Sequence, residues 1–265
     1  MLLSEIAAGL LVVSVSRCWA YDVPTTRNEK LNPYPRFSKR VGKSGPLWGK
    51  DGPVVVDISQ TTLPDCWFAA AMCACVKADK RFITSRVRLI GGVNVWEAER
   101  VNVTVHNERV EESVQTVSFE QVMAAPTDMS GMNWWPGAFQ LATLAMKYPG
   151  QTGDKFGPST AEVGLRIVAG FHTVLETNLQ PDPMWEMLVK APASPVLVGS
   201  NTETSILKTG HTYVTMETRV ASNGTRMITL HNPFGKTEEY VFALIYSDIN
   251  QIGHLDKWQK YGDPV

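Results

Sequence analysis

No stretch of eighteen apolar residues occurs in this chain of 265 residues, so a membrane-spanning helix is not expected. Neither sign of charge is in excess. The 25 Lys and Arg face 26 Asp and Glu, a balance with no pull toward nucleic acid or an anionic lipid surface. Cysteine is scarce, with four in all. They form no Cys-x-x-Cys pair, and His-Glu-x-x-His is missing too, which removes the usual zinc patterns. There is no Gly-x-Ser-x-Gly elbow for a serine hydrolase and no EF-hand loop for calcium. What remains is long enough for one large domain or two modest lobes. Nothing in the composition fixes an oligomeric state.

The most informative stretch that is present runs from Gln60 to Val76. From Cys66 to Val76 it carries no charged side chain, and its Ala, Met and Phe suit a helix apolar on every side, which must be buried. Pro64 and Asp65 mark its start, Asp being a preferred N-cap. Cys66 then falls in the first turn, where unpaired N–H groups and the helix dipole favour a thiolate. Cys is also among the most buried residue types, and Cys73 and Cys75, deeper in the helix, read as small core residues.

At the N-terminus, the uncharged run Ile6 to Val15 followed by Ser16-Arg17-Cys18-Trp19-Ala20 reads as a signal peptide over 1–20, although Glu5 and Arg17 depart from the pattern. This predicts a secreted protein; a buried helix in a cytoplasmic one is the alternative. Cleavage after Ala20 would leave three cysteines. Cys73 and Cys75 cannot join within one helix, and Cys66 to Cys73 spans about 10 Å, so no disulfide is expected in the cleaved chain. Residues 21–45, with Pro24, Pro33 and Pro35, read as an extended arm or pro-segment, in which Lys39-Arg40 suits a processing protease.

The body of the chain predicts an α+β fold in two lobes. The first, 46–150, holds the Cys66 helix, short strands at Val87–Ile90, Val101–Val105 and Val114–Val117, and a helix over Gly137–Lys147 opened by Trp134-Trp135-Pro136. The second, 151–265, begins with Gly-rich polar residues and two short helices, from Thr160 and over Pro183–Lys190. It then turns strand-like, with Pro195–Gly199, His211–Thr218 and Arg226–Asn232, the last two joined by an Asn223-Gly224 turn. His211 begins one hairpin strand and Asn232 ends the other, which puts them within hydrogen-bond reach.

A Cys–His–Asn set has a specific chemistry. His211 would take the Cys66 thiol proton and Asn232 would hold the imidazole ring. Gln60 would donate its amide to an oxyanion together with the Cys66 N–H. Phe234 would shield the His–Asn bond from water. The remaining histidines, His106, His172, His231 and His254, are scattered and read as surface or satisfied core residues.

Three motifs in order, Gln60-Thr-Thr-Leu-Pro-Asp-Cys-Trp-Phe-Ala-Ala, Gly210-His-Thr-Tyr-Val and Asn232-Pro-Phe-Gly, resemble the protease core of the calpain family over about Pro46 to Tyr246. The resemblance implies a papain-like two-lobe fold, and cysteine endopeptidase activity on protein or peptide substrates. It assigns Cys66 as nucleophile, His211 as base, Asn232 as orienter and Gln60 as oxyanion donor. Pro64 stands where the family usually has Gly, and Phe234 where it has Trp. The family's regulatory modules are missing from this chain. The resemblance also implies a first-lobe calcium site at Gly52 and Asp57, but Asn133 stands where a Glu is expected. The expectation is therefore a weak calcium site, with calcium not required for turnover. Glu238, Glu239 and Asp248 offer oxygens for a second site. The alternative function is a protease-shaped binding or scaffolding protein without turnover; a transglutaminase-like acyl transferase is more remote.

Overall fold

Helix α1 spans Cys66–Ala78, and every side chain from Cys66 to Cys75 is buried. A helix with no polar face needs neighbours all round, and the rest of the fold supplies them. The computed structural model describes residues 42–264 except 62, 92, 93, 132, 149, 150 and 152. The expected signal peptide, the arm up to residue 41 and the Lys39-Arg40 pair lie outside the described residues.

After α1 come α2 (Arg81–Thr84), β1 (Val87–Leu89), β2 (Arg100–His106), β3 (Glu112–Ser118), α3 (Phe119–Ala124) and α4 (Trp135–Met146). The three strands form an antiparallel sheet in the order β1-β2-β3. On β2 the alternation predicted from sequence is explicit, with Val101, Val103 and Val105 fully buried and Asn102 and Thr104 on the other face. Pro136 sits in the first turn of α4, where its missing N–H costs nothing. Next are α5 (Ala161–Ala169), β4 (Thr173–Thr177), α6 (Pro181–Leu188), β5 (Val196–Ser200), β6 (Thr212–Val220), β7 (Arg226–Asn232), β8 (Lys236–Val241), α7 (Phe242–Ile245) and β9 (Ile249–Leu255).

The second sheet is antiparallel in the order β4-β9-β5-β6-β7-β8. Three of its strands had no sequence expectation. β9 lies between β4 and β5 with nearly every residue buried, so it shows no alternation. β8 (Lys-Thr-Glu-Glu-Tyr-Val) is a charged edge strand, and edge strands resist further pairing by carrying such residues. The β6–β7 hairpin closes at Asn223-Gly224 as expected, with Gly224 at φ +83° in the left-handed region.

The main core gathers α1, α4 and α5 with the inner face of the small sheet, and includes Leu197, Val214 and Leu255 from the large sheet. It runs on past residue 151 to Phe171. A second core lies among α6, α7 and the large sheet, around Trp185, Leu230 and Phe242. Helix α1 packs on both α5 and β6, so it joins the two sheets through one apolar body.

The α1–α5 contact depends on one missing methyl. A Cβ at Gly164 would lie 2.6 Å from the Trp67 carbonyl oxygen and 2.9 Å from the Ala71 Cβ. Gly164→Val should therefore destabilise the fold by about 1–3 kcal/mol, read as a lower urea midpoint at unchanged slope.

Candidate active site

His211 lies one residue before β6, and contacts to both its backbone and its ring fix it. Its backbone N–H donates to Ser200 Oγ at 2.9 Å, and its carbonyl accepts from the Ser200 N–H. The loop leading to it is tied down by Asp248, whose carboxylate accepts the N–H groups of Ser205, Ile206 and Leu207 at 2.7 to 2.9 Å. The imidazole Nε2 lies 2.8 Å from Asn232 Oδ1, and the ring stacks on Phe234 with centroids 4.9 Å apart and planes 10° apart. Tyr213 meets the ring edge-on.

Asn232 ends β7. Its Oδ1 also accepts the Phe234 backbone N–H at 3.0 Å. A backbone N–H can only donate, so this bond fixes which end of the amide faces the histidine. Nε2 must then carry the ring proton, leaving Nδ1 as the basic nitrogen. The strand register sets His211 diagonal to Asn232, because Val214 faces His231. The Phe234 ring covers one face of the imidazole and is itself covered by the Lys208 ammonium, 4.0 Å from its centroid.

Cys66 opens α1, and its Sγ is 3.8 Å from the hydroxyl of Thr212, the residue after His211. The backbone N–H of Gln60 donates to the Pro233 carbonyl at 2.8 Å. Through these two contacts the Gln60–Cys66 bend meets the strand ends that carry His211 and Asn232. Cys66 is disulfide-bonded. The expectation of no disulfide applied to a chain cleaved after Ala20, so the uncleaved chain is a different case. Cys73 and Cys75 are free, fully buried thiols whose ionisation burial makes harder.

Gln60 is buried beside this group, but its amide turns back on its own loop. Nε2 donates to the Leu63 carbonyl at 2.7 Å and, at 3.5 Å, weakly to Asp65 Oδ1. Its Oε1 is buried without a hydrogen-bond partner among the described residues. Only the weak contact to Asp65 leaves a proton readily redirected to an oxyanion. Asp65 occupies the N-cap position as expected, yet its side chain caps nothing. It points inward, accepting from Gln140 Nε2 of α4 at 2.8 Å.

The three residues of the expected calcium site are only partly brought together. Asn133 meets Asp57, but as a donor: its Nδ2 is 2.7 Å from Asp57 Oδ1. Asp57 Oδ2 accepts from Trp135 Nε1 at 2.7 Å and from the Val54 N–H at 3.0 Å. Three N–H dipoles converging on one carboxylate is the wrong polarity for a cation, whose ligands must all present oxygen. Gly52 is held by its own turn, its N–H donating to the Gly49 carbonyl. Among the other acidic candidates, Glu239 pairs with Arg219 and Glu238 with Lys236.

A scan against family models found no match for this chain, and a search of curated proteins found none either.

The protonation state of His211 follows from its surroundings. Burial pushes its pKa down to about 4, against the favourable Asn232 bond and with the Lys208 charge adding to the depression. The imidazole is therefore neutral at pH 7, as a base must be. A histidine kept neutral by the fold supports stability above its unfolded pKa of about 6.5. That support is lost as pH falls toward 4, because the unfolded chain binds the proton first. The stability of the wild type relative to His211→Gln should be flat above pH 6.5 and fall by on the order of 3 kcal/mol as pH drops through 4. Urea denaturation of both proteins across that range measures it.

Proposed function

We propose that this chain is a calpain-like cysteine endopeptidase with a papain-like two-lobe fold. The observation that carries the reading is the His211 Nε2–Asn232 Oδ1 bond, roofed by Phe234, on a strand whose next residue touches Cys66. In this scheme the Cys66 sulfur acts once reduced. His211 Nδ1 takes the thiol proton, and the thiolate attacks the peptide carbonyl carbon. The resulting oxyanion is met by the Cys66 N–H at the start of α1 and by Gln60 Nε2 after it leaves Asp65. The imidazolium then protonates the leaving amine as the acyl-enzyme forms. Water, deprotonated by His211, hydrolyses the thioester and frees Cys66. Asn232 holds the ring in the one tautomer that serves these proton transfers.

A second reading is a protease-shaped binding protein without turnover. Two observations favour it: Cys66 is disulfide-bonded, and the Gln60 amide is bonded to Leu63. An epoxide-type thiol-protease inhibitor, applied after reduction and located by mass spectrometry, separates the two. Modification at Cys66 alone supports the endopeptidase; no modification supports the binding protein.

In reductant, Cys66→Ala should abolish peptide hydrolysis while keeping the wild-type circular dichroism. Gln60→Ala should lower kcat by roughly a hundredfold. Cleavage by Cys66→Ala at the wild-type rate would sink the assignment.

Calcium is not needed for this activity in our reading, because donors from Asn133, Trp135 and Val54 already occupy both oxygens of Asp57. Hydrolysis should be equal in excess chelator and in millimolar calcium. Complete loss in chelator, restored by micromolar calcium, would overturn this.

A further inference from the structure

Behind the bend that carries Gln60 and Cys66 lies a buried pair of acids that the scheme above does not use. Asp65 and Asp128 are both fully buried. They come from different places, Asp65 from the start of α1 and Asp128 from the segment between α3 and α4. One nitrogen joins them: Gln140 Nε2 donates to Asp65 Oδ2 at 2.8 Å and to Asp128 Oδ2 at 3.1 Å. The same Gln140 accepts the Asp128 backbone N–H through its Oε1 at 2.9 Å. Asp128 Oδ1 accepts the Thr61 N–H at 3.1 Å, and the Asp128 carbonyl accepts the Ser59 N–H. Asp65 Oδ1 is the weak acceptor of the Gln60 amide. The cluster therefore grips Ser59, Gln60 and Thr61 on one side of the bend and the residue before Cys66 on the other.

We propose that Asp65 and Asp128 form a positioning pair for the reaction, joined by a single shared proton and fixing the bend that presents Gln60 and Cys66 to His211.

Two adjoining, fully buried carboxylates cannot both stay ionised unless a cation offsets their desolvation and mutual repulsion. Among the described residues no Lys or Arg bonds to either acid, and the buried phenol of Tyr148 is a further titratable group that senses Asp65. Burial raises the pKa of both acids, and the Asp128 charge adds to the rise at Asp65, while the shared Gln140 nitrogen holds the two carboxyl groups side by side. Both oxygens of Asp128 already accept, one from the Thr61 N–H and one from Gln140, whereas Asp65 Oδ1 has only the weak Gln60 donor. Asp65 is therefore assigned as the acid and Asp128 as the acceptor.

The assignment makes the two substitutions at Asp65 differ in kind. Asn has the shape of a protonated Asp, donates where the acid donates, and cannot ionise. Ala removes the link. Since the Asp65 side chain makes no helix cap, neither change removes one.

The proposal rests on the endopeptidase reading for its kinetic consequence but not for the shared proton, so two readouts are needed. In isotope-edited infrared spectra of the intact protein at pH 7, the wild type should show the carbonyl stretch of a protonated carboxylic acid. That band should vanish in Asp65→Asn. In reductant, Asp65→Asn should keep wild-type kcat, while Asp65→Ala should lose about tenfold to a hundredfold in kcat with little change in KM. Absence of the acid band in the wild type, or Asp65→Ala at wild-type kcat, overturns the pairing. A reduced wild type that cleaves nothing defeats the endopeptidase reading instead, and the infrared band still decides whether the proton is shared.

Discussion

The structure depends on burying one helix completely. Helix α1 has no side that water could solvate from Cys66 to Cys75, so it is stable only when enclosed by α5 and the large sheet. Close approach is needed on one of those sides, and Gly164 supplies it. Enclosure fixes more than stability. Since α1 cannot slide or roll without exposing apolar surface, its first residue is held at a defined point against β6. There Cys66 meets Thr212.

The same enclosure creates the electrostatic problem at the start of α1. A helix N-terminus favours negative charge, yet here it is sunk in a medium that penalises charge. Apart from Gln60 Oε1, the polar side chains near it have specific partners. Asp65 turns to Gln140 rather than capping, Gln60 turns to Leu63, and His211 is neutral with Asn232 fixing its tautomer. Asp57 is satisfied by three neutral donors. Among the described residues no cation bonds to the Asp57, Asp65 or Asp128 carboxylates, and hydrogen bonds from uncharged groups carry the compensation. Such bonds are directional, so the site is held by geometry more than by long-range attraction.

Much of this was legible in the chain. The apolar run after Asp65 announced a buried helix, the alternation around Val103 announced a half-buried strand, and Asn223-Gly224 announced the hairpin that carries His211 and Asn232. Strand β9 was hidden because it is buried on both faces and carries Asn, Gln and His where a pattern would show Val or Ile. Strand β8 was hidden by its edge charges. Asp128 and Gln140 gave no local signal at all. Each is an ordinary polar residue until the chain brings it beneath the Gln60–Cys66 bend.

The sequence by itself determined α1, β2 and the β6–β7 hairpin among the elements, and which residue types had the chemistry to act together. Those follow from side-chain periodicity and local backbone preference, which act over a few residues. Only the tertiary structure decided the partners. That the Asn133 amide donates to Asp57, that the Gln60 amide faces Leu63, and that the Asp65 carboxyl lies against Gln140 are results of packing between segments far apart in the chain. Hydrogen bonds of this kind depend on distances of tenths of an ångström, and no local preference encodes them.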